Sequence, residues 1–162
     1  IHNDWRFDNV ILDPNNPTQV IGVLDWEMAT LGDPLMDLGS ALAYWVEAGD
    51  NAIFKATRRQ PTNLKGMFTR KEVVDYYLEK TGLQTENWAF YEVFGIFRLA
   101  VIAQQIYYRY YHKQTNNPAF KDFWVVIHAL HIRALKLIGM QKIEANDVAQ
   151  KYIEKMKDIL GK

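Results

Sequence analysis

Between His2 and Asn9 the chain reads HNDWRFDN, two carboxylates, two carboxamides, a histidine and an arginine set among aromatic residues. Further on, Asp25 closes the apolar run TQVIGVLD, and Asp37 lies in GDPLMDLG. A carboxylate and a carboxamide offer hard oxygen donors of the kind magnesium takes, with water and substrate phosphates completing its shell. A second carboxylate kept off the metal is suited to accepting a proton from a hydroxyl nucleophile. Asn9 with Asp25 are the candidates for the first task and Asp4 for the second. Together these groups suit magnesium-assisted chemistry at a phosphate group.

Such a division of labour needs elements that bring distant residues together. Asn9–Leu12 (NVIL) and Thr18–Asp25 are rich in β-branched residues, and the DPNNP between them is turn-forming, so the two runs are expected to pair as an antiparallel hairpin. A hairpin returns the end of its second strand to the start of its first, which sets Asn9 beside Asp25 with Asp4 just upstream. After it, Leu35, Leu38, Leu42 and Trp45 recur at helical spacing, with Asp33 as N-cap, Pro34 in the first turn and Gly49 as terminator. TRKE (69–72) is a capping-box sequence opening a helix that Gly82 ends. A long helix is expected over about 86–112, with Phe90, Phe94, Phe97, Val101 and Tyr108 in phase. Another should run from Asn117–Pro118 to near Gly139, and a last amphipathic one over about 146–160. The stretch 52–68 is the least regular and reads as a surface loop or lid. The expected class is α+β, mostly helical.

Composition narrows the alternatives. The 162 residues carry 19 Lys+Arg against 19 Asp+Glu, so no net field draws the chain to nucleic acid or an anionic membrane. There is no cysteine, which removes disulfides, thiolate metal sites and cysteine nucleophiles. No apolar run approaches a membrane span and the N-terminus lacks signal-peptide features, which leads to the expectation of a cytoplasmic chain.

HNDWRFDN followed by VLDWE and GDPLMDLG resembles the catalytic half of the aminoglycoside phosphotransferase and choline kinase-like superfamily, which has a protein-kinase-like fold. The resemblance implies ATP as donor, Mg2+ as cofactor and a small-molecule hydroxyl as acceptor. It makes Asp4 the catalytic base, Asn9 and Asp25 the magnesium and nucleotide-phosphate ligands, and His2 the structural histidine of the loop. Asp37 would accept hydrogen bonds from the loop backbone and hold Asp4 in register. Arg6 stands where protein kinases carry a lysine, and either steadies phosphoryl charge or is an exposed packing residue. Asn3 replaces the usual loop glycine. Glu27 stands where protein kinases have glycine, leaning toward the metal or ending the strand in solvent. Because the catalytic loop opens the chain and no glycine-rich phosphate loop is present, residues 1–162 are expected to form the C-terminal lobe of a longer enzyme, with the nucleotide-binding lobe elsewhere. VLDWEMATLGDPLMDLG most resembles the branch with kinase-like domains fused to acyl-CoA dehydrogenases, which makes a hydroxylated acyl compound a plausible acceptor.

Weaker signals remain. Arg98 interrupts the apolar FGIFRLAVI, either ion-paired to an acid of a neighbouring helix or anchoring an anionic substrate. The aromatic IYYRYYHK (106–113) is expected in the core. His128 and His131 share a helix face but lack a third ligand for metal binding, and Arg58, Arg59 and Arg70 form no continuous basic stripe. The alternative functions are a pseudokinase-like binding or scaffold domain, which intact Asp4, Asn9 and Asp25 oppose, and a metal-dependent phosphohydrolase, which lacks a second ligand cluster.

Overall fold

The computed structural model describes residues 1–139. The helix expected over about 146–160 lies outside them.

The β-branched runs around DPNNP pair as expected. Strands β1 (Val10–Leu12) and β2 (Val20–Val23) are antiparallel, with Val10 opposite Val23 and Ile11 opposite Gly22, and the register slips by one residue between Ile11 and Leu12. Asp13 closes the turn: its carboxylate accepts from the Asn15 N–H at 2.7 Å and its own N–H donates to the Gln19 carbonyl at 2.9 Å. Single 3-10 turns, Phe7–Asn9 and Trp26–Met28, flank the hairpin, and the regular elements that follow are helices joined by loops.

Helix α1 (Pro34–Ala43) starts where the sequence indicates, the Asp33 carboxylate accepting from the Leu35 N–H at 2.8 Å with Pro34 in the first turn. It ends at Ala43, well short of Gly49. Tertiary hydrogen bonds take over the following backbone: the Thr62 hydroxyl bonds both the N–H and the carbonyl of Val46, at 3.0 and 2.8 Å, and Arg70 donates to the Trp45 carbonyl at 2.8 Å. Those groups cannot also continue a helix. Helix α2 (Ala52–Thr57), capped by the Asn51 side chain, occupies the start of the stretch expected to be a loop. Helix α3 (Arg70–Thr81) has the full Thr69–Glu72 capping box and ends at Gly82 in a left-handed conformation, φ +71°. Helix α4 (Trp88–Tyr111) matches its expected span. The segment after Asn117 is not one helix. A separate 3-10 turn, Pro118–Phe120, precedes helix α5 (Phe123–Leu137).

Packing turns on the crossing of α1 and α4. A side chain on Gly95 would overlap the Gly39 carbonyl, and one on Gly39 would overlap the Tyr91 carbonyl, so only this glycine pair allows such close backbones. Leu35 and Leu42 of α1, Ile96 and Ala103 of α4 and Leu130 of α5 form the buried core along this seam, with Val74 of α3. Burying a side chain such as Ile96 or Leu130 stabilises the fold by about 1.5–3 kcal/mol. Arg133 and Glu92, 2.9 Å apart, tie α5 to α4.

Two expectations about α4 are corrected here, the core placement of IYYRYYHK and the lack of a membrane-length apolar run. Phe90, Phe97, Val101 and Tyr108 face outward, Phe97 being 64% exposed, and the Tyr108 and Tyr111 rings of IYYRYYHK lie at the surface. The helix is apolar on nearly every side, so its periodicity does not single out the buried face; the close approach at Gly95 does. By length and composition α4 is also apolar enough to cross a bilayer, unlike the expectation that no such run exists, although here it packs on α1 and α5.

Candidate active site

The loop ahead of the hairpin is built around a buried histidine. A carbonyl can only accept and an amide N–H can only donate. Because His2 Nε2 lies 2.7 Å from the Leu24 carbonyl and the Asp4 N–H points to Nδ1 at 3.2 Å, its ring proton sits on Nε2. The ring is wedged between Trp5 and Trp26, with centroids 5.8 and 4.8 Å away. One imidazole thereby ties the backbone of Asp4 to the strand end that carries Asp25.

Asp37, in the first turn of α1, receives the loop from below. Its Oδ2 accepts from the His2 N–H at 2.7 Å and its Oδ1 from the Asn3 N–H at 2.9 Å. Asn3 has φ +67°, a left-handed conformation that glycine adopts freely and asparagine tolerates best among side-chain-bearing residues. That backbone requirement explains why a glycine is usual at this place. Asn3 also spends its side chain locally, Nδ2 donating to the Met28 carbonyl at 2.9 Å.

Asp4 and Asn9 meet directly. Asn9, buried, donates from Nδ2 to the Asp4 carbonyl at 2.7 Å and to Asp4 Oδ2 at 3.2 Å. Arg6 lies 3.4 Å from the same Oδ2 and, through Nε, 3.4 Å from Asp8, with its guanidinium 5.8 Å from the Tyr44 ring centroid. Arg6 is thus half-buried between two carboxylates and not an exposed packing residue. Asp4 Oδ1 has no partner among the described residues, leaving one carboxylate oxygen free to accept a proton.

The ladder brings the second acid alongside. The Leu24 N–H donates to the Asn9 carbonyl at 2.8 Å, and Asp25 follows with φ +66°. Asp25 stands at the N-cap of the Trp26–Met28 turn, but its side chain makes no capping bond and no other hydrogen bond or ion pair among the described residues. With the Asn9 amide nitrogen committed to Asp4, the Asn9 oxygen and the Asp25 carboxylate are the donors left over. A hard divalent cation that keeps most of its water fits this set, and no group of three or more acidic or histidine side chains stands together among the described residues. Glu27 lies exposed in the Trp26–Met28 turn without a partner among the described residues.

Asp4 also lines a cavity of about 800 Å³. Arg6, Asp8, Tyr44 and Arg98 share the Asp4 end. Ile102 and Ile106 of α4, with Phe123 and Val126 of α5, give it apolar walls, and Arg58 and Arg59 lie at its α2 side. Neither Asn9 nor Asp25 lines it. Burial first, and then the Asp4 charge, raise the pKa of the Tyr44 phenol, so that hydroxyl stays protonated through the neutral range. Arg98 donates from Nη1 to the Asn3 carbonyl at 2.7 Å and has no ion-paired carboxylate among the described residues, which corrects the expectation of an interhelical ion pair. Tyr44, Arg58 and Arg59 had not been singled out for the site. Tyr44 follows Asp37 by two helical turns, but only tertiary packing brings it to the cavity that Asp4 lines.

Comparison with known proteins bears on the family likeness and the fold. Residues 1–73 match the model of the phosphotransferase enzyme family that contains the aminoglycoside phosphotransferases. Mouse (Mus musculus) acyl-CoA dehydrogenase family member 10 is 39% identical over 111 residues, which is 67% of this chain and 10% of that protein. Human (Homo sapiens) family member 11 is 32% identical over 114 residues, 68% of this chain and 14% of that protein. Chicken (Gallus gallus) family member 11 is 27% identical over 170 residues, 97% of this chain and 21% of that protein. The crystal structure of a candidate aminoglycoside phosphotransferase from Ralstonia eutropha JMP134 superposes with a TM-score of 0.68 at 27% identity, over 85% of this chain and 41% of that one. The chain therefore spans only a minor part of the length of each. The likeness to aminoglycoside phosphotransferases and to the acyl-CoA dehydrogenase-linked branch, first carried by three short motifs, is shown, and the fold is phosphotransferase-like.

Proposed function

We propose that this chain is the catalytic and acceptor-binding lobe of an ATP-dependent phosphotransferase that phosphorylates a hydroxyl of a small molecule, a hydroxylated acyl compound being the best-fitting class. The observation that carries this is the placement of Asp4, with one carboxylate oxygen free, on the wall of a cavity that apolar side chains of α4 and α5 line together with Arg58 and Arg59. Apolar walls suit an acyl chain, and guanidinium groups suit an anionic end.

Asp4 accepts the hydrogen bond of the acceptor hydroxyl and takes its proton as that oxygen attacks the γ-phosphorus of ATP and the bond to the β-phosphate oxygen breaks, releasing ADP. Asn9 fixes the other Asp4 oxygen, so the free one is directed by the loop. Arg6, beside Asp4, supplies positive charge where negative charge moves during transfer. Asn9 and Asp25 are the residues that would hold Mg2+, which when bound neutralises phosphate charge. Glu27, exposed and next in the turn, is at most an outer partner of that ion.

The test is made on the longer protein that contains these residues. Incubated with Mg2+, ATP and a panel of hydroxy acids, their acyl derivatives and an aminoglycoside, it is expected to release ADP only with the acyl acceptors. Mass spectrometry should find a phosphate ester on the acceptor. Asp4→Asn should lower turnover by about 10²–10⁴-fold with ATP binding retained, and Asp25→Ala should abolish Mg2+-dependent nucleotide binding. ATP binding with no turnover on any acceptor, unchanged by Asp4→Asn, would instead mark a non-catalytic binding domain.

A further inference from the structure

The peptide unit that leads into Asp4 is held at both of its polar atoms. Its N–H, that of Asp4, donates to His2 Nδ1 at 3.2 Å, and its carbonyl, that of Asn3, accepts from Arg98 Nη1 at 2.7 Å. The His2 contact comes from within the loop. The Arg98 contact comes from α4, 95 residues along the chain. Turning a peptide unit alters the φ of the residue that follows it, so the orientation of this unit sets the direction in which the Asp4 carboxylate leaves the backbone.

Arg98 is a costly residue for its position. It follows Gly95 by one helical turn, in the part of α4 that the glycine crossing presses against α1, and it is half-buried in an apolar stretch. A guanidinium there must be compensated. A packing role would be served by leucine or methionine, and an ion-pair role would require a carboxylate that is not there among the described residues. The compensation is instead a charge-assisted hydrogen bond to one carbonyl of the catalytic loop, at the end of the cavity that Asp4, Arg6 and Tyr44 also line.

We propose that Arg98 is a positioning residue for the base: by fixing the Asn3 carbonyl it aims the Asp4 carboxylate at the acceptor. This rests on the phosphotransferase reading above. Asp37 and Arg98 then grip Asn3 from two helices, the first at its N–H and the second at its carbonyl, and a left-handed residue held at both ends does not relax. A displacement of about 1 Å at a reacting group is enough to cost about 10²-fold in rate.

The experiment uses the longer protein with Arg98→Met, Arg98→Lys, Asp4→Asn and the Asp4→Asn/Arg98→Met double variant. It measures kcat, the KM of each substrate, thermal melting and amide hydrogen exchange over residues 1–8. Arg98→Met is expected to lower kcat by about 10–100-fold with both KM values within about twofold of wild type, and to speed exchange at the Asp4 amide. Arg98→Lys, which keeps a donor at similar reach, should fall between it and wild type. Because Arg98 acts through Asp4, adding Arg98→Met to Asp4→Asn should cost little more. An unchanged kcat in Arg98→Met, a raised acceptor KM at constant kcat, or losses that multiply in the double variant would overturn the proposal. Arg98→Lys carries the same tests if Arg98→Met does not fold, because a substitution at this contact that left both kcat and Asp4 exchange at wild-type values would also overturn it. A wild-type protein with no acceptor-dependent turnover would sink the phosphotransferase reading itself, a result separate from a wild type that turns over and an Arg98 variant that matches it.

Discussion

The smallest unit of this site is a backbone conformation. Asn3 sits at φ +67°, with its N–H on Asp37, its carbonyl on Arg98 and its side chain on Met28. A β-branched residue cannot enter this region cheaply: the left-handed conformation costs about 1–2 kcal/mol, and the side-chain bond would be lost as well. Asn3→Val is therefore expected to lower the melting temperature and to reduce turnover of the longer protein. Asn3→Gly, which keeps the conformation and loses only the Met28 bond, should stay within about 1 kcal/mol of wild type and remain active. Melting curves and initial rates on the two variants check this, and equal behaviour would mean that the left-handed turn is not what Asn3 supplies.

At the scale of elements, the site depends on how close α1 comes to α4. Asp37 projects from one helix and Arg98 from the other, and both grip the same loop residue. The glycine pair at the crossing sets the separation between those anchors. Gly95→Ala drives a methyl into the Gly39 carbonyl, so it should destabilise by about 1–3 kcal/mol, toward the upper end because the obstacle is backbone. It should also lower kcat more than the loss of folded protein accounts for, since the anchors move apart. Gly49→Ala is the control. Nothing lies within 4 Å of the added methyl there, and the change should remain within about 0.5 kcal/mol. Denaturant titration of both variants reads the difference directly, and similar midpoints would show that the crossing adapts.

For the molecule as a whole, the division between parts matters most. Asp4, Asn9 and Asp25 lie within the first 25 residues, but the 162-residue sequence contains no glycine-rich loop to cover nucleotide phosphates. Residues 1–162 purified alone are expected to release no acceptor-dependent ADP from Mg2+-ATP above the blank. Turnover by this piece would mean that its own residues hold and align the nucleotide.

Local chemistry was legible from the sequence wherever neighbouring residues decide it. The turn in DPNNP, the Asp33 cap, the Thr69–Glu72 capping box and the Gly82 stop all involve groups a few residues apart, and the spacing of HNDWRFDN, VLDWE and GDPLMDLG carried the family likeness. Four matters were decided only by the folded chain. Where α1 ends depends on Thr62 and Arg70 claiming the backbone at Trp45 and Val46. Which face of α4 is buried depends on Gly39 meeting Gly95, because a helix apolar on nearly every side has no periodicity to betray it. Tyr44 joins Asp4 through the cavity between helices. Arg98, whose sequence context suggested an acid of a neighbouring helix, has no carboxylate partner among the described residues and bonds the Asn3 carbonyl instead. A backbone carbonyl has no signature in the sequence, so the hydrogen bond that links α4 to the loop carrying Asp4 could emerge only once two helices had packed closely enough to bring them together.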